Sequence, residues 1–207
     1  MARKTPAETA RTRKKILDAA GEVFSRGGIA NTTLEQIAQQ AGVSRGAIYW
    51  HYKGKQDLLR ALFGEQKLPL EYSLPKDIDL DAGWQLLRKA LLETVSGASP
   101  RRLSEIILYQ GACANDSAAA HQRLLQAREC FMAQLQVLLN SAVARGELSP
   151  ALDVPAVKEF FQIGITGLLY ECLQSPGNQV HAISSALETL FHLVKNPPRH
   201  LLQSRAG

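Results

Sequence analysis

Between Ser44 and Lys55 the chain reads SRGAIYWHYKGK, which sets Arg45, His51, Lys53 and Lys55 among Tyr49, Trp50 and Tyr52. Cations interleaved with aromatic rings suit contact with an acidic polymer that also carries bases. A guanidinium can offer two parallel N–H groups to a guanine edge, the commonest specific base contact, and a tyrosine can meet a thymine methyl group. Lysine and histidine can neutralise phosphates, which fix register without reading sequence. Gly46 has no side chain to hold its backbone away from a ligand. If the stretch is helical, Ile48 and Tyr52 lie one turn apart and point inward. Arg45 and Tyr49, also one turn apart, then share the solvent face.

Presenting that face requires a support, and the preceding residues supply one. Leu34, Ile37, Ala38 and Ala41 recur at the spacing of one helix face, with Thr33 placed as the N-cap. Small Ala38 permits a close helix crossing, Gly42 and Val43 form the turn, and Ser44 caps a helix of about seven residues, too short to stand without neighbours. Leu34, Ile37, Val43 and Ile48 fill the space between the two helices. The expectation is a helix-turn-helix over about residues 33–52, whose second helix offers its first residues to a major groove. Gly54 ends that helix. Another begins near Lys55, with Asp57 in its first turn, and its opening N–H groups make an anion site beside Lys55. An earlier helix, about Thr9–Ser25, carries the stripe Ile16, Leu17, Ala20, Val23 and Phe24. Ahead of it and within it, Arg3, Lys4, Arg11 and Arg13 could form an arm against the DNA backbone or minor groove.

Charge divides the chain in the same place. Residues 1–55 hold ten Lys and Arg against four Asp and Glu, while residues 56–207 hold fourteen against fifteen. A basic excess confined to the first quarter implies a module for a polyanion joined to a near-neutral remainder with another task. The domains expected are therefore 1–55 for nucleic acid and 56–207 for the rest, with a Pro-punctuated connector at about 68–81. No apolar run approaches the ~20 residues of a membrane helix. The first residues lack the apolar core of a secretory leader, so a cytoplasmic protein with no membrane partner is expected. Cys113, Cys130 and Cys172 form no metal-binding spacing with the five histidines and read as small apolar side chains.

The segment TRKKILDAAGEVFSRGGIANTTLEQIAQQAGVSRGAIYWHYKGKQDLL resembles the N-terminal signature of the tetracycline-repressor (TetR) family of bacterial transcription regulators. The match includes Ala38, Gly42 and Ile48 and the YWHY-K-G-K close of the recognition helix. Within the family the chain is most similar to multidrug-efflux repressors of the AcrR type, through MARKT at the start and RGAIYWH in the recognition helix. The resemblance implies double-stranded operator DNA as partner. Thr33 would donate to a phosphate, Ser44, Arg45, Gly46 and Tyr49 would face the groove, and His51 and Lys55 would clamp the backbone. For Trp50 two readings stand, packing beneath the helix and contact with DNA.

Helical periodicity continues to the C-terminus and no strand pattern interrupts it, so the fold expected is all-α with about nine helices. The later five are expected at roughly Ala82–Ser96, Arg101–Cys113, Ser117–Arg145, Val154–Gln174 and Asn178–Lys195, with a loose tail after Pro197 and Pro198. Val154–Gln174 is apolar nearly all round, and the last helix has an apolar stripe. Either these helices are the core of a monomer, or, as the resemblance implies, they pair with a second copy. The homodimer candidates are Phe160, Gly164, Gly167, Leu168, Ile183, Leu187, Leu190, Phe191 and Val194. A two-fold dimer would set two recognition helices about 34–36 Å apart on a pseudo-palindromic site. The family also implies a small-molecule inducer, apolar or amphipathic, among the middle helices. Trp84, Leu91, Ile106, Tyr109, Phe131 and Phe161 are the candidate apolar lining, each equally suited to be plain core, and Glu105, Gln110, Gln134 and Gln162 are the candidate polar contacts.

No nucleophile elbow, phosphate loop, dinucleotide fingerprint or metal spacing occurs, so neither an enzyme nor a cofactor is expected. The reading is a ligand-responsive repressor of an efflux operon. The alternative is a regulator of another operon, activator or metabolic repressor, or a DNA organiser without an inducer.

Overall fold

The computed structural model describes residues 5–110, 118–174 and 180–203. Among them are nine α-helices and no strand: α1 (Pro6–Gly27), α2 (Leu34–Ala41), α3 (Arg45–His51), α4 (Lys55–Glu65), α5 (Leu80–Ser96), α6 (Ala98–Gln110), α7 (Ala118–Ala144), α8 (Val154–Gln174) and α9 (Val180–Lys195). The helices form two compact units. The first comprises Met1–Lys67 with Arg102–Leu124, the second Leu68–Arg101 with Leu125–Gly207, so α6 and α7 contribute to both.

In the first unit α1 starts earlier than its apolar stripe indicates. Pro6 occupies its first turn and Thr5 forms a reciprocal capping box with Glu8, satisfying N–H groups that have no partner inside the helix. Ile16, Ala20 and Phe24 of α1 are fully buried, as are Ile37 of α2, Ile48 of α3 and Leu58 and Leu59 of α4. This core follows the spacing of the apolar residues, although Val23, Leu34, Ala41 and Val43, expected inside, are only half-buried. Leaving α1, the chain is tied by Thr32, whose buried hydroxyl donates to the Gly28 carbonyl at 2.7 Å.

In the second unit Asp79 caps α5, its carboxylate accepting from the Ala82 N–H at 2.8 Å. Gly83 lets α5 and α7 meet closely, because a Cβ there would fall 2.5 Å from a methyl of Leu138. Trp84 fills the centre, stacked on Phe191 of α9 at 4.8 Å and edge-on to Phe161 of α8 at 5.6 Å. Arg88 of α5 reaches Ser184 at 3.0 Å and Glu188 at 3.3 Å, and Lys195 closes the far end of α9 onto Asp81 at 2.6 Å. The connector is less plain than its prolines suggest. It opens with a 3-10 turn at Pro69–Glu71 and is sutured to α7 by Gln134, which accepts from the Leu74 N–H at 3.0 Å.

The tail corrects its expectation. Through Gln203 it is pinned beside the α7–α8 turn. The Asp153 N–H donates to the Leu201 carbonyl at 2.9 Å, and the Gln203 N–H donates to the Ala151 carbonyl at 2.8 Å. Two prolines end α9, but backbone groups beyond them still find partners.

Candidate nucleic-acid interface

Three caps build the reading face. Thr33 opens α2 with a capping box: its hydroxyl accepts from the Gln36 N–H at 3.2 Å and its own N–H donates to the Gln36 carboxamide at 2.8 Å. Gly42 closes α2 in the left-handed conformation (φ 65°), which glycine adopts without steric cost. Ser44 then accepts from the Ala47 N–H at 3.2 Å and starts α3. Thr33 and Ser44 thus already have structural work at the surface where a phosphate contact is expected of them.

On α3 the spacing argument is realised. Ile48 is wholly buried and Tyr52, which follows the helix, is 3% exposed, while Arg45 and Gly46 are exposed and Tyr49 is 49% exposed. Arg45 is aimed by Tyr49. One guanidinium nitrogen donates to the tyrosine hydroxyl at 3.2 Å, and the cation lies 5.5 Å from the ring centre. That hydrogen bond raises the pKa of a group that is already fully charged. An arginine held by one nitrogen retains its other donors for a planar acceptor pair.

Gly46 has open space where a side chain would stand. Among the described residues an added Cβ would meet only the Ser44 hydroxyl, at 3.9 Å. Packing within the chain therefore does not require glycine there; approach of a ligand would. Gly46→Ala is expected to stabilise the protein by about 0.5 kcal/mol through helix propensity while weakening binding to specific DNA about tenfold. Thermal melting and duplex titration of the same sample check the opposite signs. A variant both more stable and equally tight would remove Gly46 from the interface.

Of the two readings of Trp50, packing beneath the helix does not hold. It is 71% exposed, and its ring meets His51 edge-on at 4.6 Å. Two residues past Ile48 it is turned about 200° from the buried face, a signal the sequence contained. Together with Pro6, Thr9 and Arg13 of α1 and Gly46 and Ala47 of α3, it lines an open groove of about 890 Å³.

The flanking cations have partners inside the unit. Lys55 donates from Nζ to the carbonyls of Ile29 at 2.9 Å and Ala30 at 3.4 Å, bracing the loop that enters α2. His51 is half-buried. Arg13 is ion-paired through both terminal nitrogens to Glu65, so it is not a loose arm. Arg11 is exposed on α1, whereas Arg3 and Lys4 lie outside the described residues.

The candidate effector lining falls in both units. Trp84, Leu91, Phe131 and Phe161 are buried in the second unit, with the Trp84 indole N–H lacking a partner among the described residues. Gln162 there is half-buried. Gln134 spends its amide on the connector, accepting from Leu74 and donating to the Leu70 carbonyl at 3.4 Å. Ile106, buried, and Glu105, half-buried, belong to the first unit. The side chains of Tyr109 and Gln110 lie outside the described residues.

The dimer candidates separate by exposure. Ile183, Leu187, Leu190, Phe191 and Val194 are buried within the single chain. Gly164 faces Leu190, a Cβ there falling 3.6 Å from it, and Leu168 is half-buried. Phe160 and Gly167 are exposed, together with Ile163 at 75% and Tyr170 at 47%. These four recur at steps of three, four and three and so form one outward stripe on α8. Ile163 and Tyr170 were not among the sequence candidates, although that periodicity points to them.

Residues 16–62 match the sequence profile of bacterial regulatory proteins of the tetR family. The HTH-type transcriptional regulator SrpR of Pseudomonas putida is 41% identical over 206 residues, covering 100% of this chain and 96% of its own. Among solved structures, NalD, the secondary repressor of the MexAB-OprM multidrug efflux pump in Pseudomonas aeruginosa, is 26% identical. It has a TM-score of 0.74 over 93% of this chain and 100% of its own. A SmeT–triclosan complex, SmeT being the repressor of the Stenotrophomonas maltophilia multidrug efflux pump SmeDEF, is also 26% identical, with a TM-score of 0.75 over 95% and 100%.

Proposed function

The chain belongs to the TetR family of bacterial transcription regulators, and from that premise we propose that it represses an efflux operon by binding a pseudo-palindromic operator as a homodimer. It is a DNA-binding regulator and not an enzyme. The observation that carries the reading is its full-length likeness to a transcriptional regulator, joined to an intact exposed face of Arg45, Gly46 and Tyr49. Arg45 and Tyr49 read base edges. Thr33, Ser44, His51 and Lys55 fix the register, either by touching phosphates or by holding the loops that do. Operator binding places its work in the cytoplasm.

The efflux assignment takes support from NalD and SmeT, both repressors of multidrug efflux pumps. An inducer of apolar or amphipathic character is proposed because SmeT binds triclosan and because the second unit is rich in buried aromatic side chains. The Trp84 indole N–H, buried and without a partner among the described residues, is a polar group that would orient it, with Gln162 a second candidate. Binding is linked to DNA release by a coupling free energy, and linkage makes the effect reciprocal. Triclosan is the first probe. At saturation it is expected to weaken binding to the preferred duplex about tenfold, and the duplex is expected to weaken triclosan binding by the same factor. Titration calorimetry in both orders checks the equality. Because linkage obliges the two factors to agree whatever the mechanism, unequal factors would mean only that one titration had not reached equilibrium. No effect of triclosan or of related amphipaths would remove the inducer from the proposal and leave a constitutive regulator.

A further inference from the structure

The last turn of α4 is held by side chains from elsewhere. It carries no basic residue, and Gln66, which follows it, is extended (φ −105°, ψ 105°) rather than left-handed. The carbonyls at such an end form the negative pole of the helix and need donors. Two carbonyls at this end are served by Arg123 from the beginning of α7. Its Nε donates to the Phe63 carbonyl at 2.9 Å and one terminal nitrogen donates to the Gln66 carbonyl at 3.1 Å. Arg123 is 6% exposed, the only charged side chain so deeply buried among the described residues. Burying a guanidinium is unfavourable unless its donors are used, so its position is tightly specified by those carbonyls.

The same turn is gripped on its other side. The Glu65 carboxylate pairs with both terminal nitrogens of Arg13, whose cation lies 5.6 Å from the ring centre of Tyr52. Tyr52 ends the recognition helix, its N–H donating to the Ile48 carbonyl at 2.8 Å. Burial pushes its phenol up to about 12, against the opposing influence of Arg13. An ion pair about two-fifths exposed on both sides adds little stability. Its bidentate geometry instead fixes direction.

We propose that Arg123 is a positioning residue for DNA reading. It holds the carbonyl end of α4, which sets Glu65; Glu65 sets Arg13; and Arg13, over Tyr52, sets the orientation of α3 against α1. The proposal rests on the DNA-binding reading above and extends the DNA-reading machinery to a residue 60 positions beyond Phe63.

The test uses the full chain and a duplex selected from a random pool by the unmodified protein, with a scrambled duplex as reference. Arg123→Met and Glu65→Gln are each expected to lower the ratio of the two affinities about tenfold. The double variant should be no worse than the weaker single, because residues acting in one chain of contacts are not additive. Binding to the scrambled duplex should not weaken in Glu65→Gln, which removes a negative charge from the basic unit. Arg123→Lys, which keeps a cation and fewer donors, should recover part of the loss. An unchanged ratio in either single variant, or multiplication to about a hundredfold in the double, overturns the proposal. If Arg123→Met fails to fold, Arg123→Lys takes its place: a ratio between those of the unmodified protein and Glu65→Gln is expected, and an unchanged ratio overturns the proposal. A reading without DNA keeps the two questions apart. In ¹⁵N spectra the Trp50 indole signal should move in both single variants while that of Trp84 stays. An unmoved Trp50 signal refutes the role of Arg123, whereas failure of the unmodified protein to discriminate the duplexes refutes the DNA-binding reading instead.

Discussion

Arg45→Ala is expected to abolish discrimination between specific and scrambled DNA while leaving the fold and the state of association unchanged. Each bidentate arginine–guanine pair is worth about 1–3 kcal/mol, and a two-fold dimer presents two of them. The specific affinity should therefore fall about a hundredfold or more. Affinity for scrambled DNA should fall far less, because that binding comes from phosphate contacts. The Arg45 side chain is exposed and, among the described residues, hydrogen-bonds Tyr49 of its own helix, so melting should stay within about 0.5 kcal/mol of the parent. Tyr49→Phe separates aim from contact. It removes the hydroxyl that holds the guanidinium and should cost only a few-fold of the same ratio. Fluorescence titration of both duplexes checks the series. Discrimination that survives in Arg45→Ala would move base reading to another side chain.

The second large effect is expected at the outward face of α8. Ile163 is 75% exposed, in line with Phe160, Gly167 and Tyr170. A fully packed isoleucine at a subunit interface contributes about 1.5–3 kcal/mol, and a two-fold axis counts each residue twice. Ile163→Asp adds to that loss a carboxylate taken out of water on both sides. The variant should be a folded monomer. Operator affinity should then drop about 10²–10⁴-fold, because two linked half-site contacts become one. Sedimentation velocity reads the association state and circular dichroism reads the fold. Leu187→Asp is the contrast: Leu187 is 1% exposed within the chain, so the same charge there should unfold the protein. An Ile163→Asp protein that stays dimeric would place the interface on another surface.

These two sites mark what a sequence makes legible. Thr33, Gly42 and Ser44 declare caps and a turn by residue type, and the inward Ile48 fixes the outward Arg45 by helical arithmetic alone. Val154–Gln174 has the bounds its flanking Ser-Pro-Ala-Leu-Asp-Val-Pro and Ser-Pro-Gly-Asn runs imply. Periodicity identifies an apolar face but not what covers it. The stripe of α9 is covered by α5 and α8 of the same chain, whereas the residues left outward on α8 are fewer and include two aromatics. Trp50 was legible by its angle from Ile48, but a large aromatic beside a buried helix face invites the assumption of core. Lys55, Arg13 and Arg123 show the other limit. Their partners lie 26, 52 and 60 residues away, and nothing in local spacing announces a guanidinium capping a helix on a different element. Arg123 carried no sequence signal beyond being an arginine early in a helix.

The central claim is that this protein reads a particular DNA sequence. The most direct measurement is fluorescence-anisotropy binding of the intact protein to a duplex it selects from a random pool and to a scrambled duplex of equal length, at moderate salt. A preference of about 10³-fold or more, with both affinities falling as salt rises, is the result predicted for a sequence-specific regulator. Equal and weak binding to both duplexes would contradict it, leaving a basic helical protein that holds DNA without reading it.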